Sequence, residues 1–137
     1  MREAVEEAKS TSGDDKTPFA SLIVKDNVVV VRAHNETRRN MDPTCHAEIN
    51  AIRKACTILQ TRDLSGCTLY TTVEPCPMCF AAAWWSNISR IVYGASIEDA
   101  AENELQFELS TKVLNERSGN RIELDGRILK EACVDLF

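Results

Sequence analysis

A histidine, a glutamate and two cysteines are the residues of this 137-residue chain whose types and spacing suggest chemistry. His46 and Glu48 belong to a His-Ala-Glu tripeptide, and Cys76 and Cys79 belong to a Pro-Cys-Pro-Met-Cys segment. One imidazole and two thiolates can bind Zn²⁺ and leave its fourth coordination position open for water, as in catalytic zinc sites. Because Glu48 is two residues from the histidine, its carboxylate can lie beside that water without binding the metal. The pattern predicts a hydrolytic zinc site in which Glu48 transfers protons.

Each half of this pattern has other uses when it occurs alone. A single Cys-x-x-Cys is also found in redox pairs and in structural zinc ribbons, and a single His-x-Glu carries little information. The two halves together, each at the start of a predicted helix, favour a catalytic zinc site over those alternatives. A zinc-stabilised scaffold without catalysis is the competing hypothesis, and the carboxylate of Glu48 beside an open coordination position argues against it.

Both halves of the pattern are expected at helix N-termini. Alanines recur at helical spacing after Thr44, the predicted N-cap, which places His46 and Glu48 in the first helical turn. Pro77 suits the first position of a second helix, where a missing N–H costs little. Since the positive end of a helix dipole favours anions, these positions suit thiolate ligands.

The other elements are predicted from hydrophobic periodicity and turn residues. Predicted strands cover residues 19–24, 28–33, 68–73, 89–93 and 121–124, the fourth of them ended by Gly94. Further helices are predicted over residues 1–9, 97–102 and 127–137. The first two strands form a hairpin and the later strands are joined through helices. This order predicts one α/β domain over residues 1–137 with a mixed sheet.

The composition is that of an ordinary globular domain, with 44% hydrophobic and 27% charged residues. The apolar runs fall well short of the roughly 20 residues needed to cross a bilayer. The Glu-rich N-terminus has no secretion signal, so we expect a cytoplasmic location without membrane contact. Four cysteines outside the metal motif are expected as free thiols in a reducing compartment: Cys45, Cys56, Cys67 and Cys133.

The charge balance bears on the class of partner. Sixteen basic and 21 acidic side chains give a net charge of −5. Nucleic-acid affinity depends heavily on Lys and Arg that neutralise phosphates, so this balance makes a nucleic-acid partner less favoured than a small molecule. Arg38-Arg39, in the loop before the histidine motif, is the best candidate for a local basic contact.

Three segments resemble the cytidine/deoxycytidylate deaminase superfamily, whose motif is H-x-E followed by P-C-x-x-C. They are Asp-Pro-Thr-Cys-His-Ala-Glu at 42–48, Glu-Pro-Cys-Pro-Met-Cys at 74–79 and Arg-Ile-Val-Tyr-Gly-Ala at 90–95. The guanine deaminase and tRNA adenosine deaminase branches are the most similar. The resemblance implies a three-layer α/β/α sandwich with a mixed five-stranded sheet. It also implies that His46, Cys76 and Cys79 bind zinc and that Glu48 shuttles protons.

The resemblance further implies a function and partners. It predicts zinc-dependent deamination of a free nucleobase or nucleoside by water, with guanine-like purines favoured and ammonia released. Adenosine in tRNA and cytosine-type bases are the alternatives. Asn35 is implied to contact the base, and Trp85 lies where the guanine branch carries an aromatic near the pocket. A turn-stabilising Asn and a core or interface Trp are the competing interpretations. A homodimer is also implied.

Two departures from those branches are visible. Residues 102–107, Glu-Asn-Glu-Leu-Gln-Phe, replace the Gly-Phe and acidic pattern that covers the pocket in guanine deaminases. The chain ends in Cys-Val-Asp-Leu-Phe, without the basic tail of bacterial tRNA deaminases, which counts against tRNA.

Overall fold

The computed structural model describes residues 1–11, 17–102 and 106–137. The helices are α1 (Arg2–Ser10), α2 (Ala47–Leu59), α3 (Pro77–Trp85), α4 (Ile97–Ala101), α5 (Thr111–Arg117) and α6 (Lys130–Val134). The strands are β1 (Ala20–Lys25), β2 (Val28–His34), β3 (Cys67–Val73), β4 (Arg90–Ala95) and β5 (Glu123–Asp125). None of the helices in the described ranges is long and apolar enough to cross a membrane.

The five strands form one mixed sheet in the order β2-β1-β3-β4-β5. β1 is antiparallel to β2 and β3, and β3, β4 and β5 are parallel to one another. The predicted hairpin is closed by Asp26 and Asn27, whose φ angles of 49° and 61° are those that a type I′ turn requires. The parallel strands β3 and β4 end at the same edge of the sheet, and Cys76 follows β3 at that edge.

Helices cover both faces of the sheet, which confirms the predicted three-layer sandwich. On one face α2 and α3 pack on the strands around a core that includes Ile23, Leu69, Ile91, Ala51, Ile52, Phe80 and Ala83. On the other face a smaller cluster contains Val5 of α1, Val73, Ala95, Ala100 of α4 and Cys133 of α6. The helices that begin with the metal motifs are therefore fixed against the larger core.

β4 continues through Gly94, so the prediction that this glycine ends the strand was wrong. The residue is needed for packing instead of for a turn. A Cβ on residue 94 would lie 2.7 Å from the Cβ of Cys133 and 2.9 Å from the carbonyl oxygen of Thr72. The absence of a side chain lets α6 lie directly against β4.

The predicted N-cap of α2 was also wrong. The helix begins at Ala47 and His46 is its N-cap. The backbone N–H of Thr44 and its hydroxyl both donate to Oδ1 of Asp42, at 2.8 Å and 2.7 Å. This local turn uses the hydroxyl that a cap would need, so the helix starts later.

The C-terminal region differs from the sequence prediction in two further ways. α5 was not predicted, because its buried residues are the polar Thr111 and Asn115 and it shows no apolar stripe. α6 is shorter than the predicted 127–137, since Arg127 and Leu129 have φ angles of 64° and 55°, outside the helical region.

Candidate active site

The structure brings His46, Cys76 and Cys79 together, with one ligand atom from each lying within 4.8 Å of the others. Nδ1 of His46 lies 3.8 Å from Sγ of Cys76 and 3.6 Å from Sγ of Cys79. In a tetrahedral site, Zn–S bonds of about 2.3 Å and Zn–N bonds of about 2.0–2.1 Å place nitrogen and sulfur ligands about 3.6 Å apart. The three donor atoms therefore fit a zinc ion in both chemistry and spacing.

Two of the three ligands occupy the same kind of backbone position. His46 is the N-cap of α2 and Cys76 is the N-cap of α3, and both have extended backbone with φ near −65°. Neither side chain makes a capping hydrogen bond, although N-cap side chains commonly do. Both side chains therefore remain available to a metal at the positive ends of the two helices. Cys79, in the first turn of α3, adds the second sulfur, and Pro77 opens the helix as predicted.

The two thiols influence each other strongly. Hydrogen bonds with Cys79 and His46 lower the pKa of Cys76 to about 4. The same contact with Cys76, together with burial, raises the pKa of Cys79. Two adjacent thiolates are unfavourable because like charges repel. A divalent cation between the sulfurs stabilises both of them, so this pair favours metal binding.

Glu48 lies in the first turn of α2 and is only 7% exposed. Burial is the main cause that raises the pKa of this carboxyl above its ordinary value. Glu48 is not part of the three-residue ligand cluster in the described ranges. A carboxyl with a raised pKa beside a metal site can accept a proton and return it during one reaction cycle.

Two of the ligands, His46 and Cys76, line a cavity of about 130 Å³ together with Glu48. Its walls are formed by Phe19, Asn35, Thr37, His46, Glu48, Val73, Glu74, Cys76 and Gln106. Two of these residues, Phe19 and Val73, are apolar, and the others carry polar side chains. This mixture suits a flat ring with polar edges.

Asn35 lies in this cavity, and the structure shows how its position is set. Its backbone N–H donates to the carbonyl of Phe19 at 3.1 Å, and its Nδ2 donates to Oγ1 of Thr37 at 3.1 Å. The buried Asn50 of α2 then donates from Nδ2 to the carbonyls of His34 and Cys45, both at 3.1 Å. One side chain thereby anchors both ends of the loop that carries Asn35.

Trp85 is the predicted substrate residue that the structure does not bring to the cavity. It is the last residue of α3, whereas the metal ligands lie at the first turn of that helix. Its side chain is 77% exposed and packs edge-on against Trp84, with ring centroids 4.9 Å apart. In this single chain Trp85 lines a separate surface groove.

Several cavity residues were not predicted from the sequence as site residues. Glu74 and Val73 could have been found, because they directly precede the cysteine motif at the end of a strand. Gln106 lies within the segment that departs from the guanine deaminase pattern, and residues 103–105 of that segment lie outside the described ranges. Nothing in the sequence pattern distinguishes Phe19 from other strand residues.

Comparison with known proteins agrees with this geometry. A family model described as the cytidine and deoxycytidylate deaminase zinc-binding region matches residues 1–95. Guanine deaminase of Bacillus subtilis (strain 168) is 46% identical over 85 residues, which are 62% of this chain and 54% of that protein. The match therefore spans about half the length of that relative.

Two further similarities extend over almost the whole chain. The tRNA-specific adenosine deaminase of Bacillus subtilis (strain 168) is 33% identical over 133 residues, which are 97% of this chain and 81% of that protein. A solved structure of guanine deaminase from Nitrosomonas europaea has a TM-score of 0.90 at 25% identity and covers 98% of this chain and 79% of its own. The matched zinc-binding region and these end-to-end similarities show that the chain belongs to the cytidine and deoxycytidylate deaminase family.

Proposed function

We propose that this protein is a zinc-dependent hydrolase that deaminates a free nucleobase or nucleoside, with guanine-like purines as the preferred class. The observation that carries the proposal is the buried carboxyl of Glu48. It lines one small cavity with His46 and Cys76, two members of the metal-ligand cluster that Cys79 completes. A purely structural zinc site has no use for an ionisable group at this place. The scaffold hypothesis is therefore the weaker one.

In this proposal the three ligands hold zinc, and Glu48 handles the protons. When bound, zinc lowers the pKa of a water ligand and supplies a nucleophile near neutral pH. Glu48 accepts one proton from the attacking water and delivers it to a ring nitrogen. It then takes the second proton from the new hydroxyl on the ring carbon and delivers it to the leaving amino group. The water oxygen bonds to the ring carbon, the carbon–nitrogen bond breaks, and ammonia leaves. General acid–base catalysis by one such group contributes about 10²–10⁴-fold.

The cavity suits the ring of one base. Its volume of about 130 Å³ and the apolar walls of Phe19 and Val73 suit one planar ring system. Asn35 is proposed to hydrogen-bond a polar edge of the ring, because its amide lies on the cavity wall and its backbone is fixed to Phe19. The net charge of −5 favours an uncharged base or a nucleoside over a polyanion. Cytosine-type bases contain a comparable amidine and are the next class to test.

Adenosine in tRNA is the second candidate substrate, and a specific observation favours it. The similarity to a tRNA-specific adenosine deaminase covers 97% of this chain. The exposed Arg38 and Arg39 directly follow the cavity residue Thr37, so RNA phosphates near the entrance would meet basic side chains. In that case the base to be deaminated would enter the same cavity.

An ammonia-release assay tests the proposal. Its panel comprises guanine, guanosine, adenine, cytosine, cytidine and a tRNA stem-loop with adenosine at position 34. We expect turnover of a free base or nucleoside, and we expect guanine-like purines to be turned over fastest. Release of ammonia from the stem-loop alone would reject the small-molecule substrate, and the variant Arg38→Ala with Arg39→Ala should then weaken RNA binding. The absence of turnover with all six would reject the enzyme proposal.

We also propose that the protein is a homodimer. Apolar side chains at α3 and α5 line a surface groove, and Trp85 at its edge is 77% exposed. Large exposed aromatics on an apolar groove are typical of protein interfaces. Analytical ultracentrifugation at micromolar concentration should give twice the mass of one 15.3 kDa chain. The variant Trp85→Glu should lower the mass toward one chain, and a wild-type mass of one chain would contradict the proposal. The cytoplasmic location remains a prediction from the sequence.

A further inference from the structure

The buried carboxylate of Glu74 lies beside the metal ligands but takes no part in the proposed proton transfers. It follows the last residue of β3, precedes Cys76 by two positions and is 5% exposed. Its backbone N–H donates to the carbonyl of Ala95 at 2.8 Å, which ties the ends of β3 and β4 together. Burial of a carboxylate is unfavourable unless donors compensate for the lost water, so its contacts reveal its role.

Those contacts reach two separate helices. Oε1 of Glu74 accepts hydrogen bonds from the backbone N–H and the hydroxyl of Thr111, both at 2.8 Å. Oε2 accepts a hydrogen bond from the backbone N–H of Ile97 at 3.2 Å. Ile97 is the first residue of α4 and Thr111 is the first residue of α5. One carboxylate therefore joins the starts of both helices, through charge-assisted hydrogen bonds of the stronger kind.

The two attachments flank Gln106 in the sequence. Gln106 lies in the chain between Ile97 and Thr111, five residues before the latter, and its side chain lines the cavity with Glu74 itself. The same carboxylate belongs to the segment that continues into the ligand Cys76. Glu74 thus connects the wall that carries the metal ligand to the wall that carries Gln106.

We propose that Glu74 is a positioning residue that sets substrate affinity by holding Ile97 and Thr111, the first residues of α4 and α5, and thereby placing Gln106 at the cavity. The proposal rests on the proposed deaminase function. The two glutamates then have different roles. Glu48 transfers protons in the chemical step, and Glu74 maintains the geometry of the substrate site. Loss of Glu74 should therefore raise KM more than it lowers kcat.

The variant Glu74→Gln tests this proposal, because it keeps the side-chain size and removes the charge. Hydrogen-exchange mass spectrometry should show at least about tenfold faster exchange at Ile97 and in residues 106–111, since the charge-assisted bonds are lost. Zinc content should stay at the wild-type value. For the best substrate of the panel, KM should rise about tenfold while kcat changes less than about threefold. The variant Thr111→Val removes one of the three donors to Glu74. It should speed exchange and raise KM by smaller factors than Glu74→Gln does.

The matched control is Glu116→Gln, which changes an exposed glutamate of α5 and should alter none of these quantities. Unchanged exchange and unchanged KM in Glu74→Gln would overturn the proposal. So would loss of zinc, or a fall in kcat without a change in KM, because either assigns Glu74 to the metal or to the chemical step. If Glu74→Gln does not fold, the Thr111→Val results decide. If the wild-type protein turns over no substrate, the function proposal fails, and the exchange data still decide whether Glu74 holds the starts of α4 and α5.

Discussion

Nδ1 of His46 lies 3.6 Å from Sγ of Cys79, although 33 positions separate the two residues in the chain. They meet because α2 and α3 pack side by side on one face of the sheet, and each begins at the same edge of it. The apolar contacts that hold the two helices against the sheet therefore determine the spacing of the metal ligands. Metal binding should in turn stabilise the fold, because a ligand set of this kind forms only when the chain is folded.

Zinc content provides the first prediction. The purified protein should contain about one zinc per chain by elemental mass spectrometry, and a chelator should lower its Tm. The variant Cys79→Ala should lose the metal because it removes one of three ligands. Cys56→Ala is the matched control, since Cys56 lies in α2 away from the ligand cluster, and it should keep the metal. Wild-type zinc content in Cys79→Ala would show that the ligand assignment is wrong.

Asn50→Ala should destabilise the protein and the loop that carries Asn35. The side chain of Asn50 is buried and satisfies the carbonyls of His34 and Cys45. Its removal leaves these acceptors without that donor, which costs about 1–3 kcal/mol in the free energy of unfolding. Urea denaturation measures this loss. Lys54→Ala, an exposed change on the same helix, should cost less than about 0.5 kcal/mol. Equal stability of the two variants would contradict the anchoring role.

The ion pair between Asp99 and Lys130 should make stability depend on acid pH. Nζ of Lys130 lies 2.8 Å from Oδ1 of Asp99, and Asp99 also accepts from the backbone N–H and the hydroxyl of Ser96. The contact with Lys130, more than any other, lowers the pKa of Asp99 from its ordinary 3.8 to about 2. The folded state therefore binds the Asp99 proton more weakly than the unfolded state does.

The sign and the pH window follow from this difference. The stabilisation is complete above about pH 4 and is lost as the pH falls toward 2. Allowing for solvent screening of a partly exposed pair, it amounts to about 1 kcal/mol. Asp99→Asn should lower the free energy of unfolding by about that much at pH 6, and by about half as much at pH 3. Glu98→Gln, at an exposed neighbouring position, is the control. A pH-independent difference between Asp99→Asn and wild type would refute this ion-pair account.

The metal site was more predictable from the sequence than the substrate site. His46, Glu48, Cys76 and Cys79 were identified because zinc chemistry requires particular residue types at short, fixed spacings, and each half of the motif is local in the chain. The cavity wall is not local in this way. Phe19, Thr37, Glu74 and Gln106 come from four separate connections, and only the folded sheet brings them to one place.

The fold shows the same division between local and distant causes. The mixed sheet and the two motif helices could be predicted, because hydrophobic periodicity and the Asp26-Asn27 turn act over a few residues. α5 could not, since its inward residues Thr111 and Asn115 are polar and are satisfied by distant partners. Thr111 donates to Glu74, and Asn115 bonds to the backbone of Ile122. The prediction that Gly94 ends β4 was wrong for a similar reason, because the role of this glycine depends on Cys133, far along the chain.

The most direct test of the proposed mechanism is ammonia release by Glu48→Gln, measured on the best substrate of the panel with zinc content determined in the same samples. Glu48 is buried in the cavity but lies outside the ligand cluster, so the variant should fold and keep about one zinc per chain. Because the amide cannot accept the proton of water, kcat should fall by at least about 10²-fold. Near wild-type kcat in a zinc-loaded Glu48→Gln protein would contradict the central claim that this carboxyl carries the proton transfers.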